Sequence, residues 1–174
     1  MKKLFAIALL ASGVMISSQT NAQTEDKSKR PSPPVKVTEK IASGATITID
    51  YSQPSVNGRT IGKDLEPMDG QVWRTGANEA TIFETDKDVM VGGKKLTAGK
   101  YSLFTIFKGN DVTVIFNKTA NQWGAFKYKA DDDALRIKAK ATQASPAAKK
   151  LVFSVGANEV SFVWGSKKVF FPVK

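Results

Sequence analysis

The stretch Thr46-Ile47-Thr48-Ile49-Asp50-Tyr51 (TITIDY, 46–51) decides the fold class. Ile47, Ile49 and Tyr51 alternate with Thr46, Thr48 and Asp50, and only a β-strand puts every second side chain on one dry face. The same period recurs further along the chain. Leu135, Ile137, Ala139 and Ala141 alternate with Arg136, Lys138 and Lys140, and Leu151, Phe153, Val155 and then Val160, Phe162, Trp164 form two more such runs. Turn signals separate these runs at short spacing: Asn57-Gly58, Gly92-Gly93, Gly109-Asn110, Gly156-Ala157-Asn158 and Gly165-Ser166. Tyr101 to Phe107 and Val112 to Asn117, joined at Lys108–Asp111, read as a central hairpin covered on both faces. Helical periodicity is nearly absent. Ala144 to Lys149 reads as a single helical turn, with Ser145 as cap and Pro146 at the first helical position. The count comes to about ten short strands, which predicts an all-β fold, an antiparallel β-sandwich with elaborated loops.

The ends set the expected domain plan. Met1-Lys2-Lys3, the apolar run Leu4–Ile16 and the small, polar Ser17–Ala22 have the order of a signal peptide, with the cut predicted before Gln23. The apolar run is too short to span a bilayer, and no second such segment follows, so no transmembrane segment is expected in the mature chain. The expected location is therefore periplasmic or secreted. Gln23 to Pro34 is polar and ends in Pro31, Pro33 and Pro34, which reads as a tether, and residues 35–174 then form one domain. Such a domain has no cysteine to staple it, so its core alone must hold it.

Composition removes whole classes of chemistry. With no His and no Cys among 174 residues there is no Ser–His triad, no Cys–His pair and no imidazole-ligated zinc. No cofactor or metal is expected. The net charge of +10 reads as a lysine-fringed sheet, because the lysines alternate with apolar residues instead of forming a stripe. Nucleic acid is not an expected partner, because no binding motif accompanies the charge. Asp131-Asp132-Asp133 lacks the spacing of a calcium loop and reads as a solvated turn.

One run departs from strand alternation: Val72 to Thr81, VWRTGANEAT. Trp73 offers an apolar face, Arg74 a planar fork for an anion, and Asn78 and Glu79 groups that fix hydroxyls. Arg59, in the Pro54–Lys63 loop, and Tyr101 are second contributors to the same candidate site. Two readings of this run stay open. It builds a polar ligand site, or it is a staple in which Arg74 pairs with Glu79, Asn78 bonds backbone and Trp73 plugs the core. Trp123, in the loop Asn121-Gln122-Trp123-Gly124, offers a second stacking platform or covers the end of the core, and the second is the expectation.

Four segments occur in a recognisable order: Pro54-Ser55-Val56-x-Gly58-Arg59, VWRTGANEAT (72–81), AGKYSLFTI (98–106) and VTVIFN (112–117). In this order the chain resembles the bacterial domain of unknown function 2911 family, from about Pro31 to the C-terminus. The resemblance implies an all-β fold and a secreted protein, and no activity, since the family is uncharacterised. The function expected from the residues is a non-enzymatic exported domain that binds a small polar or glycan-like ligand, or an envelope protein, through the Trp73–Glu79 run. The alternative is a metal-free carboxylate hydrolase acting on envelope glycans, with Glu79 opposite Asp50, Glu66 or Glu84. The spacing selects no pair. A third reading is a module whose open sheet edge receives a partner's strand.

Overall fold

The computed structural model describes residues 26–174; the expected signal peptide and its cut lie outside the described residues. Ten strands follow in order: β1 (Pro34–Lys40), β2 (Thr46–Ser52), β3 (Val72–Trp73), β4 (Ala77–Thr85), β5 (Val89–Val91), β6 (Lys94–Leu96), β7 (Gly99–Lys108), β8 (Asp111–Asn117), β9 (Asp133–Val155) and β10 (Glu159–Pro172). The only helical turns among the described residues are 3-10 turns at Lys27–Lys29 and Ala130–Asp132. No helix among them is long and apolar enough to cross a membrane.

The strands run antiparallel in one large sheet, β1-β2-β4-β7-β8-β9-β10, with β3 added beside β7; β5 and β6 form a separate hairpin. The expected all-β, antiparallel architecture is present, as a single sheet curled until its two halves face each other. Strand β9 makes the curl. Its first part pairs with β8 from Asp133 to Lys140, and its second part pairs with β10 from Ala141 to Val155. One strand thus belongs to both halves and carries the chain round the corner between them. The far side closes where Ser55 bridges Lys150, with the amides of Val56 and Leu151 donating to the carbonyls of Lys149 and Pro54.

The alternation read in 46–51 maps onto this curl. Ile47, Ile49 and Tyr51 point inward to a core shared with Phe83, Leu103, Phe116, Phe153, Phe162 and Phe171, each nearly or fully buried. The 101–117 hairpin is present as β7 and β8, paired from Ser102–Asn117 to Lys108–Asp111. Its second apolar face is also covered, since the loop 118–132 folds back over the outer side of the sheet. There Phe104, Ile115 and Ala80 form a small second core with Ala125 and Tyr128.

The helical turn expected at Ala144–Lys149 is instead strand, within β9. Pairing with β10 runs through this segment, Gln143 opposite Lys167 and Ala148 opposite Gly165, with a register shift between them. Pro146 sits in that irregular stretch, where its missing N–H breaks no ladder bond, and the ladder on either side outweighs the local helical signal.

Candidate functional site

The run 72–81 does not behave as a plain loop. Thr75 (φ 52°) and Asn78 (φ 56°) take left-handed backbone, and Gly76 lies where a Cβ would stand 2.8 Å from Thr81 Oγ1 and 3.2 Å from the Ser52 carbonyl. These features bulge β4 between Ala77, which still pairs with Ser52 of β2, and Ile82. Pairing of β4 with β7 begins only at Thr81, while β3 occupies the place beside β7 at Thr105 and Ile106. Residues 78–80 pair instead with the 122–124 loop. Glu79 bridges Trp123, the Ala80 amide donates to the Gln122 carbonyl, and the Gly124 amide donates to the Asn78 carbonyl.

This detour places Glu79 on the outer face of the sheet, in a cleft of about 430 Å³ whose lining includes Asp50, Ser52, Asn121, Gln122 and Trp123. Trp123 is 55 % exposed, which corrects the expectation that it covers the core. Its loop lies over the outer face, with Ala125 and Tyr128 supplying the apolar contact, so the indole is left at the cleft's edge. Gln122 is buried and fixes this wall, its Nε2 donating to Ser102 Oγ and to the Thr119 carbonyl.

Glu79 is the most heavily engaged group here. Lys27 Nζ donates to its Oε1 at 2.8 Å, and Arg30 Nη1 reaches Oε1 and Oε2 at 3.0 and 2.9 Å. Ser52 Oγ stands 3.5 Å from Oε2. Burial alone pushes its carboxyl pKa up, but the bonds from Lys27, its own backbone and Arg30 outweigh that and hold it down at about 2. The guanidinium of Arg30 also lies over the Trp123 ring, 5.9 Å from its centroid. Asn78 Nδ2 donates to the Ser32 carbonyl, so Asn78 and Glu79 together hold residues 27–32 against the sheet.

The other sequence candidates lie elsewhere. Trp73 is buried in the main core, edge-on to Phe162 and tilted against Phe107, with Nε1 donating to the Gly76 carbonyl. Tyr101 is also core, its hydroxyl donating to the Thr97 carbonyl. Arg59 is exposed and braces its own loop through the carbonyls of Ser55 and Val56. Arg74 is half-buried with its Nε unpaired; burial lowers its pKa and the nearby Glu66 charge partly restores it. Arg74 and Glu79 do not pair. Of the six candidates, only Asn78 and Glu79 are brought together beside the cleft, and Glu79 alone lines it.

Asp50, named as a carboxylate opposite Glu79, does line the cleft, but the groups that hold Glu79 there were absent from the sequence candidates. Lys27, Arg30 and Ser52 come from segments 27 to 52 positions away from Glu79. The only local signal was the aromatic-amide cluster Asn121-Gln122-Trp123, now seen as the opposite wall.

A family model described as "Protein of unknown function (DUF2911)" matches residues 32–173, nearly all of the described chain. No curated protein and no solved structure matches it.

Proposed function

Because the chain belongs to the DUF2911 family, for which no function is given, we propose a function from the cleft itself: an exported, non-enzymatic domain that binds a small polar, glycan-like ligand between Glu79 and Trp123. The observation that carries this reading is the pairing of an exposed indole with a wall of carboxylates and amides, Asp50, Glu79 and Asn121, in one cleft. An indole face stacks on the apolar face of a sugar ring, and carboxylates and amides accept and donate to its hydroxyls. Export rests on the leader-like residues 1–22.

The hydrolase alternative has Asp50 and Glu79 in the same cleft in its favour. It needs one protonated and one ionised carboxyl group; at about 2 Glu79 suits only the ionised role, and its oxygens are already taken by Lys27 and Arg30. The binding reading therefore has the stronger support.

Titration calorimetry with a panel of neutral and amino oligosaccharides tests it. Trp123→Ala is expected to weaken binding about fivefold, the equivalent of about 1 kcal/mol of stacking. Asp50→Asn is expected to weaken it further with no hydrolysis by either chain. Saccharide affinity unchanged in Trp123→Ala would remove this cleft from consideration, and turnover lost in Asp50→Asn would establish the hydrolase.

A further inference from the structure

The cleft's two strongest recognition groups are already engaged, and by the chain itself. Arg30 makes a forked contact with the Glu79 carboxylate and lays its guanidinium over the Trp123 indole. Its side chain is only 13 % exposed there, so both contacts form with much of the water removed. A carboxylate beside an aromatic face is the pair of groups that best complements a planar cation. Lys27 adds an ammonium to the same carboxylate.

The strap that carries these cations lies at the surface of the molecule. Residues 26–29 are exposed, and the 3-10 turn they form is capped only by Asp26 within the same segment. Among the described residues, the contacts tying 26–33 to the sheet beside the cleft include the Glu79 ion pairs, the Arg30–Trp123 stack, the Asn78 bond to the Ser32 carbonyl and the Gln53 amide bond to the Pro33 carbonyl. The strap's exposed turn at 26–29 belongs to the part of a fold that opens first.

Resting on the cleft reading above, we propose that Glu79 and Trp123 form a seat for a cationic group, that Arg30 fills this seat as an internal pseudo-ligand, and that the external ligand carries a guanidinium or amine that displaces it. The strap then sets a threshold. A tethered cation competes at a local concentration in the millimolar range, so a free ligand must outbind it before the cleft opens. Ser52 Oγ, 3.5 Å from Glu79 Oε2, remains in the seat to meet the incoming group.

The test compares the full chain with its Lys27→Ala, Arg30→Ala double variant, titrating N-acetyl-arginine amide at low ionic strength. Both substitutions lie outside the strands, and matching thermal melts confirm that both chains are folded. The double variant is expected to bind the probe at least tenfold more tightly, and adding Glu79→Gln to it is expected to abolish the gain. Equal affinity in the two chains, or a gain that survives Glu79→Gln, overturns the seat. A neutral gluco-oligosaccharide serves as second titrant. If it binds both chains equally, the gate is overturned while the cleft reading stands; if it binds neither while the arginine probe gains, the seat is supported and the glycan reading falls.

Discussion

Glu79 keeps its charge because donors surround it, and that has a measurable consequence in acid. Its carboxyl group drops from an ordinary 4.5 to about 2, the bonds from Lys27 and Arg30 overcoming the opposing effect of burial. A carboxylate whose folded pKa is depressed adds stability that is fully present above its unfolded value. That contribution fades as pH falls from about 4.5 through about 2. With its side chain 36 % exposed, solvent screens part of the effect, so the direction is the firm expectation. Carbon-detected NMR titration is expected to place the Glu79 carboxyl near 2. Lys27→Ala with Arg30→Ala is expected to move it up toward the ordinary carboxylate range. A Glu79 that titrates like a free carboxylate in the unsubstituted chain would show that the pairs do not persist in solution.

At the scale of the element, the cleft's far wall depends on a loop that is fastened, not packed solid. Asn117, at the end of β8, is fully buried; its Nδ2 donates to the Lys129 carbonyl and to Asp133 Oδ1, and its Oδ1 accepts from the Thr119 amide. Tyr128, Asp133 and Arg136 lock the loop's return through a closed set of hydrogen bonds. Asn117→Ala leaves buried groups unpaired and is expected to cost about 2 kcal/mol in thermal or denaturant unfolding. It is also expected to weaken ligand binding, although Asn117 does not line the cleft. Affinity held at the level of the unsubstituted chain would show that the wall stands without it. The same elements show what local pattern can and cannot convey. Strands such as β2 and the β7–β8 hairpin were legible because period-two alternation is written within a few residues. The bend in β9 and the detour of residues 78–80 onto 122–124 were not, since each depends on partners far along the chain. Glu79 stood out as a carboxylate in an irregular run, but nothing near it announces Lys27 or Arg30. The sequence marks Trp73 as the available indole and Trp123 as the cover of the core, and the curl of the sheet reverses them.

Across the whole molecule, protection follows position in the sheet. Strands β4, β7 and β8 lie at its middle, each flanked on both sides, whereas among the described residues β1 pairs only with β2 and leaves its other edge, bearing Lys36 and Lys40, open. Hydrogen exchange is expected to be slowest at Leu103–Thr105 and Val114–Phe116 and fastest along β1 and residues 26–33. A reversed order would mean that the curled sheet does not unfold from its edge inward. The open edge is also charged and begins at a proline, features that discourage another chain from pairing there.

The last residues carry a consequence of another kind. Val169, Phe171 and Val173 are fully buried, Phe171 packs edge-on to Phe116, and Lys174 exchanges backbone bonds with Met90. The interior is therefore sealed only once β10 is in place, so closure of the curled sheet waits on a strand more than a hundred positions from β1 and β2, and a chain cut before it would leave the core open.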